Sequence, residues 1–457
     1  MPSSNHSIDI NFLGENKTMR SLTNEQMTKE LTQVRHDNRA GRIGRRIGMF
    51  LLTLVGGLVA LISLLPVGLL PLVTAVPLPF FLLLAAADLA LLGYLFVRAE
   101  TVLLRTAVIG GLLAVSVLAV LLSQWYATTP PILGADGNPL PGSIAELEAV
   151  ELNGRTQWIS LRGQDTNKPV LLFLAGGPGG TQLAATRKML GGLEEHFVVV
   201  NWEQPGAGKS YRAADFSSLT PEQYIADGHE LTLYLLERFD EEKIYIMGES
   251  WGTLLGLWLV QDHPERYHAF AGIAQMVAFL ETDTYDYNLA LEIAEERGDT
   301  NTIDALRQQG PPPYYGDGVA LKVTRYVMYL SQYMMQNPAI TGPGYDTFGD
   351  IGAPEYGLYD KVNYFWGLLR TMETLWPQLW DVDMRQQVPQ VDVPVYFMEG
   401  RHDVNAPPEL AEDYLQKLDA PHKELIWFEH SGHSPWVDEA EKTVDVMVNT
   451  VLANTTP

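Results

Sequence analysis

One apolar stretch near the amino terminus limits what this chain can fold into. From Met49 to Val97 it carries a single acidic or basic side chain, Asp88, in a run made mostly of Leu, Val, Ala, Phe, Gly and Pro. About 20 apolar residues cross the hydrocarbon core of a bilayer as a helix, so this run is long enough for two crossings. A further apolar run ends in Trp125-Tyr126, a pair of amphipathic rings favoured at the lipid–water boundary. The sequence therefore predicts a membrane segment over 49–126 with about three helices, at 49–70, 78–97 and 106–126.

Two other arrangements of this segment stay open, namely a re-entrant hairpin followed by one span, or helices buried in a protein core. Asp88 in mid-span is either a functional polar site or a carboxyl group that is protonated or hydrogen-bonded between helices.

Basic residues give the segment an orientation. Three arginines between residues 42 and 46 precede the first predicted span, and Arg98 and Arg105 bracket the loop between the second and third. The positive-inside rule places that loop and an N-terminal tail over 1–48 in the cytoplasm. Three crossings then place everything after residue 126 outside the cytoplasm, whereas two crossings would leave it inside.

Charge and cysteine content exclude several classes of function. The chain carries 55 acidic against 31 basic residues, and the acidic excess follows the apolar segment. Such a surface repels polyanions, so nucleic-acid binding is disfavoured. The absence of cysteine rules out disulfides, thiol catalysis and thiolate metal sites.

The residues after the membrane segment have the pattern of an α/β domain. A stretch rich in Pro and Gly at 127–142 is typical of a linker, and two short alternating runs around Asn153-Gly154 predict a β-hairpin. Continuous apolar runs follow, separated by spacers long enough for a crossover helix, which predicts parallel strands. One longer gap has helical periodicity and many aromatic residues, so we expect a helical cap over the ligand-binding end of the sheet. The expected boundaries are 143–277 for the first part of the core, 278–393 for the cap and 394–457 for the second part.

The segment EQPGAGKSY, residues 203–211, ends in Gly208-Lys209-Ser210 as a phosphate-binding loop does. Such a loop requires a glycine five residues before Gly208, where this chain has Glu203. Glu203 would point a carboxylate at the phosphates, and Pro205 removes one backbone N–H donor. The sequence therefore predicts that no nucleotide binds here.

The strongest chemical signal is the motif G-x-S-x-G at residues 248–252, centred on Ser250, between an apolar strand and a helix. This is the context of a nucleophile elbow, which lifts the serine hydroxyl above the end of the sheet. A serine hydroxyl is a weak nucleophile until a base removes its proton, so an acid and a histidine should follow in that order.

Two residues fit those roles. Asp403 and His433 lie just past the last two predicted strands, at the end of the sheet where Ser250 is expected. Glu399 is the alternative acid, although it falls within or at the end of its strand. His430 and His402 compete with His433 for the role of base, and a structural hydrogen bond is the other role for His430.

Backbone N–H groups should stabilise the oxyanion that forms when the serine attacks a carbonyl. Trp251, directly after the nucleophile, supplies one. The second is expected from Gly177 or Gly176 in the sequence LAGGPGG after the first parallel strand.

Together these segments resemble the prolyl aminopeptidase (proline iminopeptidase) family of α/β-hydrolases. The similarity covers roughly 165–275 and 394–450, with the landmarks AGGPGG, EQPGAGKS, GESWG, HPERY, GRHD and SGH. It implies Ser250 as nucleophile with Asp403 and His433 as partners, and Gly177 and Trp251 as oxyanion donors. It also implies release of an N-terminal residue, often proline, from short peptides.

The departures from the family pattern are Ala175 in place of its His, Glu203 in place of its Asp, Pro205 in place of its Arg, and Glu249 where Gly is usual. The family holds the free amine of its substrate with carboxylates, some of them from the cap. In this chain Glu203, Glu249, Glu281 and Asp283 are the candidates for that charge.

These observations favour a membrane-anchored serine hydrolase that cleaves small peptides or amides through an acyl-enzyme, without a cofactor or metal. An esterase or lipase of the same fold is the alternative, and a cap with no need for an amine anchor would favour it. A catalytically silent sensor or binding module on a membrane stalk is a third hypothesis, and the complete set of three catalytic residues argues against it. The expected partners are a small peptide, amide or ester substrate and the lipid bilayer.

Overall fold

Three long helices begin the part of the chain that the computed structural model describes, which is residues 24–99 and 101–455. They are α1 (Asn24–Val73), α2 (Leu78–Val97) and α3 (Val102–Trp125). Each contains a segment long and apolar enough to cross a membrane, at Thr53–Val73, Leu78–Val97 and Val102–Trp125. The expectation of three apolar helices is confirmed.

The first helix is longer than expected. It begins at Asn24 rather than near Met49, because the polar segment before the apolar run is rich in helix-forming residues and contains no proline. Residues 1–23 of the expected N-terminal tail lie outside the described residues.

The described residues divide into two compact units, one made of 24–63, 90–99 and 101–113, and the other of 64–89 and 114–455. The first unit packs around a small apolar cluster of Ala60, Leu95, Ala99, Val108 and Leu112. The second unit holds the remaining parts of the three helices and the whole α/β domain.

A hairpin opens the α/β domain, as the sequence predicts. β1 (Ile144–Leu152) pairs antiparallel with β2 (Arg155–Gly163). Asn153 and Gly154 make the turn with φ angles of 49° and 77°, and positive φ at both positions is what a tight type I′ hairpin turn requires.

Six more strands complete one eight-stranded sheet in the order β1-β2-β4-β3-β5-β6-β7-β8. β2 pairs antiparallel with β4, and every pair from β4–β3 to β7–β8 is parallel. β3, β4, β5 and β7 are buried along their whole lengths, which explains their continuous apolar sequences. The strands are β3 (Val170–Leu174), β4 (Val198–Glu203), β5 (Ile244–Glu249), β6 (Tyr267–Ile273), β7 (Val395–Gly400) and β8 (Lys423–Phe428).

Helices cover the sheet between and after the strands. Before β6 these are α4 (Leu183–Met189), α5 (Pro221–Phe239) and α6 (Trp251–Asp262), with short 3₁₀ turns at Gly191–Glu195, Gly208–Ala213 and Pro264–Arg266. After β6 come six helices of the cap, α7 (Phe279–Arg297), α8 (Thr300–Gln309), α9 (Val319–Met335), α10 (Thr347–Ile351), α11 (Leu358–Leu379) and α12 (Met384–Gln387). After β7 come α13 (Pro408–Lys417), α14 (Pro435–Asp438), α15 (Ala440–Asp445), a π-helical turn (Val446–Leu452) and α16 (Ala453–Thr455).

The cap has an aromatic core of its own. The ring of Phe279 lies 4.9 Å from that of Trp376 and 5.8 Å from that of Trp380. All three side chains are buried, and rings at these separations pack edge to face. This core joins the first cap helix α7 to α11, the longest cap helix.

Candidate active site

Ser250 lies in the sharp turn that the G-x-S-x-G motif predicts, between the end of β5 and the start of α6. Its φ and ψ angles are 52° and −117°, a conformation that L-residues adopt at a cost of about 1–3 kcal/mol. A side chain at Gly248 would overlap the carbonyl oxygen of Gly252, and one at Gly252 would overlap that of Leu174. The two glycines of the motif are therefore required by close backbone packing around Ser250.

Asp403 and His433 are brought together by the loops after β7 and β8. The Nδ1 atom of His433 lies 2.8 Å from Oδ2 of the buried Asp403. Asp403 is fixed in turn, because its Oδ1 atom accepts hydrogen bonds from the backbone N–H groups of Asn405 at 2.8 Å and Ala406 at 3.1 Å. With Nδ1 donating to the carboxylate, Nε2 is the imidazole nitrogen that can accept a proton.

One hydrogen bond joins the loop of His433 to the serine elbow. Glu249, directly before Ser250, accepts a hydrogen bond at 2.8 Å from the hydroxyl of Ser434, directly after His433. The candidate nucleophile and base therefore lie on segments that contact each other.

The charges around His433 raise the pKa of its imidazole to about 9. Burial alone lowers this pKa, but the Asp403 carboxylate outweighs it through charge and hydrogen bonding, and Glu249 and Glu399 add to the increase. The imidazolium is thus stabilised in the resting site, and the neutral base forms fully only in alkaline solution.

The alternatives for acid and base are placed differently. Glu399 is fully buried, and its Oε1 atom accepts a hydrogen bond at 3.0 Å from the backbone N–H of Gln275. Burial, together with the nearby Asp403 charge, raises the pKa of Glu399 well above its usual value. His430 is exposed, and its backbone N–H donates to Glu439.

Of the two glycines expected to donate to the oxyanion, Gly176 already has a partner. Its N–H donates to Oε1 of Gln182 at 3.3 Å, and a Cβ atom on Gly176 would lie 3.5 Å from Cβ of Ser250. The loop therefore packs against the serine, and Gly177 remains the other residue predicted as the second donor. Trp251 is the first residue of α6, where the backbone N–H has no acceptor within the helix.

Sequence reasoning missed the role of Gln204. Its amide donates to the carbonyl of Ala175 at 3.1 Å and accepts a hydrogen bond from the Trp251 indole at 2.9 Å. One buried side chain thus joins the glycine loop after β3 to the serine elbow. The sequence signal that could have identified Gln204 is its place in EQPGAGKS, one of the segments that resemble the family.

Glu249 is the centre of a polar network that spans the sheet and the cap. Its buried carboxylate accepts hydrogen bonds from Tyr345, Ser434 and Gln182. These three partners come from the cap, from the His433 loop and from the start of α4, positions that nothing in the local sequence connects. Glu249 lies beside the serine with its oxygens already engaged.

Glu203 occupies the position where a phosphate loop would begin. Its buried carboxylate accepts a hydrogen bond at 2.6 Å from the backbone N–H of Lys209, and burial raises its pKa to about 8. The Lys209 ammonium lies 3.0 Å from Asp360 of the cap, with each side chain only 3 % exposed. In this structure Lys209 is engaged in a buried ion pair, unlike the lysine of a phosphate loop.

The first cap helix contributes two buried carboxyl groups. Asp283 accepts hydrogen bonds from the hydroxyl of Tyr326 and, at 3.3 Å, from the indole of Trp376. Burial raises the pKa of Asp283 to about 7. Asp286, one turn further along α7, is also buried, and within the described residues its Oδ1 atom has no hydrogen-bond partner.

Asp286 was missed by sequence reasoning, although it lies three residues after Asp283 and so on the same side of the helix. Burial raises its pKa well above the usual value, and the charges of Asp283 and Asp403 raise it further. Asp286 therefore lies close enough to Asp403, the candidate catalytic acid, for the charge of Asp403 to raise its pKa.

Glu281 lies apart from these groups. Its side chain is 52 % exposed and pairs with Arg385 at 2.6 Å on the surface. Among the described residues, no group of three or more His, Cys, Asp and Glu side chains is placed to hold a metal ion.

Comparison with known proteins identifies the family of this chain. Residues 169–309 match the family defined by the alpha/beta hydrolase fold. The chain is also 31 % identical over 307 residues to the probable aminopeptidase YbaC of Bacillus subtilis, covering 66 % of this chain and 94 % of the relative. The chain belongs to the α/β-hydrolase family.

Other members of this α/β-hydrolase family are similar over shorter stretches or in fold. A probable proline iminopeptidase of Leptolyngbya boryana is 32 % identical over 104 residues, 23 % of this chain and 30 % of that one. A pimeloyl-[acyl-carrier protein] methyl ester esterase of Vibrio atlanticus is 37 % identical over 69 residues, 15 % of this chain and 26 % of that one. The crystal structure of proline iminopeptidase from Mycobacterium smegmatis aligns with a TM-score of 0.51 at 18 % identity, over 68 % of this chain and 99 % of that one, which shows the shared fold.

Proposed function

We propose that this α/β-hydrolase is a membrane-anchored serine hydrolase that releases the N-terminal residue of small peptides or amides through an acyl-enzyme. The observation that carries the proposal is the hydrogen bond between His433 and Asp403, on a loop that is joined through Ser434 and Glu249 to the strained turn of Ser250. Ser250, Asp403 and His433 follow the ends of the parallel strands β5, β7 and β8, at the same end of the sheet, which supports their assignment as nucleophile, acid and base.

The reaction follows from these positions. Nε2 of His433 accepts the proton of the Ser250 hydroxyl as the serine oxygen attacks the substrate carbonyl. The backbone N–H groups of Gly177 and Trp251 stabilise the oxyanion. The imidazolium then gives its proton to the leaving amine, and an acyl-Ser250 ester remains. A water molecule, deprotonated by His433, hydrolyses this ester and frees the serine.

Buried carboxyl groups supply the chemistry for recognising a free N-terminal amine. Asp286, like Glu203 on the sheet side, combines burial with an oxygen atom that has no partner in the described part of the chain. Asp283 lies beside it, and a bound ammonium group would favour the ionised form of both carboxyls. Glu203 and Glu249 remain candidates on the sheet side, whereas the surface ion pair of Glu281 gives it no part in this proposal. The aminopeptidase name of the Bacillus relative supports the same substrate class.

Membrane anchoring is the second element of the proposal. Three helices are long and apolar enough to cross a bilayer. Arginines precede the first span and bracket the loop between the second and third spans, which favours a cytoplasmic N-terminus. The α/β domain would then lie outside the cytoplasm. Protease treatment of intact cells tests this orientation: the domain should be digested, and its survival would place it inside.

Labelling with a fluorophosphonate probe tests the serine mechanism without assuming a substrate. The full chain in detergent should be modified at Ser250, as mapped by mass spectrometry of its peptides. The Ser250→Ala variant should stay unlabelled. Absence of labelling in the wild-type chain would instead support the silent binding module.

An ester hydrolase of the same fold is the second candidate. The matching stretch of the Vibrio methyl ester esterase is the observation that favours it. Both candidates use the same serine chemistry, so only a comparison of substrates separates them.

A further inference from the structure

The cap touches the ends of the membrane helices at a series of points. The backbone N–H of Leu358, the first residue of α11, donates to the hydroxyl of Ser123 in α3 at 2.8 Å. The amide of Gln124, the next residue of α3, donates to Asp360 at 2.7 Å. Leu358 itself packs into an apolar cluster with Val67 and Leu70 of α1, Val76 of the loop before α2, Leu84 of α2 and Ala119 of α3.

One face of α11 is apolar and exposed directly after this contact. Val362, Phe365, Trp366 and Leu369 are 67 %, 50 %, 55 % and 38 % exposed. Their spacing of i, i+3, i+4 and i+7 places them along a single stripe of the helix. We call these four residues the α11 stripe. Four large apolar side chains exposed side by side indicate a surface that meets an apolar partner.

The opposite face of α11 packs on the loops of the candidate active site. A side chain at Gly179, in the glycine loop after β3, or at Gly206, after β4, would overlap the side chain of Thr371. One at Gly367 would overlap the carbonyl oxygen of Gly206. The helix therefore lies between the loop that presents Gly177 and the exposed stripe.

The position of the stripe identifies its partner. At a rise of about 1.5 Å per residue, the stripe begins about 6 Å along the helix from Leu358 and ends about 17 Å from it. Leu358 itself is buried among helices that the proposed function places in the bilayer. Phe and Trp are the side chains favoured where a helix lies at the lipid–water boundary. Phe348, in the preceding cap helix, is a further exposed apolar side chain, with 86 % of its surface accessible.

We propose that the α11 stripe inserts into the lipid interface of the membrane that holds the three helices, so that the cap is docked on the bilayer. The inference rests on the membrane anchoring in the proposed function. It adds that the helix bordering the active-site loops is in contact with lipid, which places the candidate site at the membrane surface.

Site-directed spin labelling tests this docking directly, because the chain contains no cysteine. Val362→Cys and Trp366→Cys would each carry a nitroxide on the full chain in phosphatidylcholine nanodiscs. Leu89→Cys, at a 70 % exposed position in α2, serves as the membrane control, and Leu321→Cys, 66 % exposed on α9, as the cap control outside the stripe. Electron paramagnetic resonance then compares collisions with oxygen, which concentrates in lipid, and with a water-soluble nickel chelate.

Residues 362 and 366 should show a several-fold higher oxygen-to-nickel ratio than residue 321, closer to that of residue 89. Nickel accessibility at 362 and 366 equal to that at 321, with residue 89 in lipid, would overturn the docking and leave the anchoring intact. Spin–spin broadening at residues 362 and 366, together with low accessibility to both oxygen and the nickel chelate, would also overturn the docking. In that case a second copy of this chain would cover the stripe. If residue 89 were itself exposed to nickel, the anchoring would fail, and the docking with it. Fluorophosphonate labelling of each variant reports on the serine site separately.

Discussion

The His433 imidazole and the Asp403 carboxylate are joined by a hydrogen bond of 2.8 Å, and backbone N–H groups hold the other oxygen of that carboxylate. This arrangement leaves Nε2 as the imidazole nitrogen that can accept a proton. Asp403→Asn should therefore lower kcat by roughly 10³- to 10⁴-fold, because the amide no longer selects the reactive tautomer. Steady-state kinetics of the full chain measure the loss.

Glu399→Gln is the matched control for that substitution. Glu399 is buried nearby but holds the backbone N–H of Gln275 rather than the histidine. Its amide should keep kcat close to wild type. A larger loss for Glu399→Gln than for Asp403→Asn would reverse the assignment of the acid.

The raised pKa of His433 predicts an alkaline activity profile. Below about pH 9 the imidazole is mostly protonated and cannot accept the serine proton, so reactivity should rise with pH and level off above this value. The rate constant for inactivation by a fluorophosphonate, measured as a function of pH, reports this titration. The probe carries no amine, so no titration of a substrate group is superimposed on that of the enzyme. Because Glu249 contributes to the increase, Glu249→Gln should move the midpoint to lower pH. A wild-type profile already flat from pH 7 would contradict the account.

Gln204 joins the two segments that carry the proposed oxyanion donors, so its loss should affect the chemical step more than binding. Gln204→Leu removes the hydrogen bonds to Ala175 and to the Trp251 indole while keeping a similar volume. A small displacement of the donors costs on the order of 100-fold in rate. We expect kcat to fall by this order with little change in KM. A change confined to KM would show instead that Gln204 shapes substrate binding.

The cap carboxylates should decide whether a free amine is recognised. Asp286→Asn removes a buried charge that would face the ammonium group, and a hydrogen bond to a charged group contributes about 1.5–3 kcal/mol. The kcat/KM for free-amine substrates should fall roughly 10- to 100-fold on this scale, with ester substrates unaffected. Glu281→Gln, on the same helix but paired with Arg385 at the surface, is the matched control and should behave as wild type. Equal effects of both substitutions would exclude Asp286 as the amine anchor.

The strands and the serine turn follow from local sequence. Buried parallel strands need continuous apolar runs, and the turn around Ser250 needs glycine two residues before and after it, so both are visible in short segments. The order of Asp403 and His433 after their strands follows from the same reasoning. The start of α1 shows the limit, because helix-forming polar residues extend a helix beyond its apolar part.

The polar network around the site was not predictable in this way. Ser434 and Glu249 are 185 residues apart, and the Tyr345 hydroxyl reaches Glu249 from the cap. Such contacts depend on how the cap packs on the sheet, which no local pattern encodes. For the same reason Glu281 and Asp283 had equal standing as acidic residues of the cap, and Asp286 was missed, until their burial was known.

The most direct test of the central claim compares substrates on the full chain in detergent. Free-amine prolyl and alanyl anilides, their N-blocked forms and short-chain p-nitrophenyl esters would be assayed side by side, with Ser250→Ala as control. The account predicts turnover of the free-amine anilides that collapses on blocking the amine and disappears in Ser250→Ala. Turnover of the esters alone, lost in the same variant, would contradict it and establish an ester hydrolase.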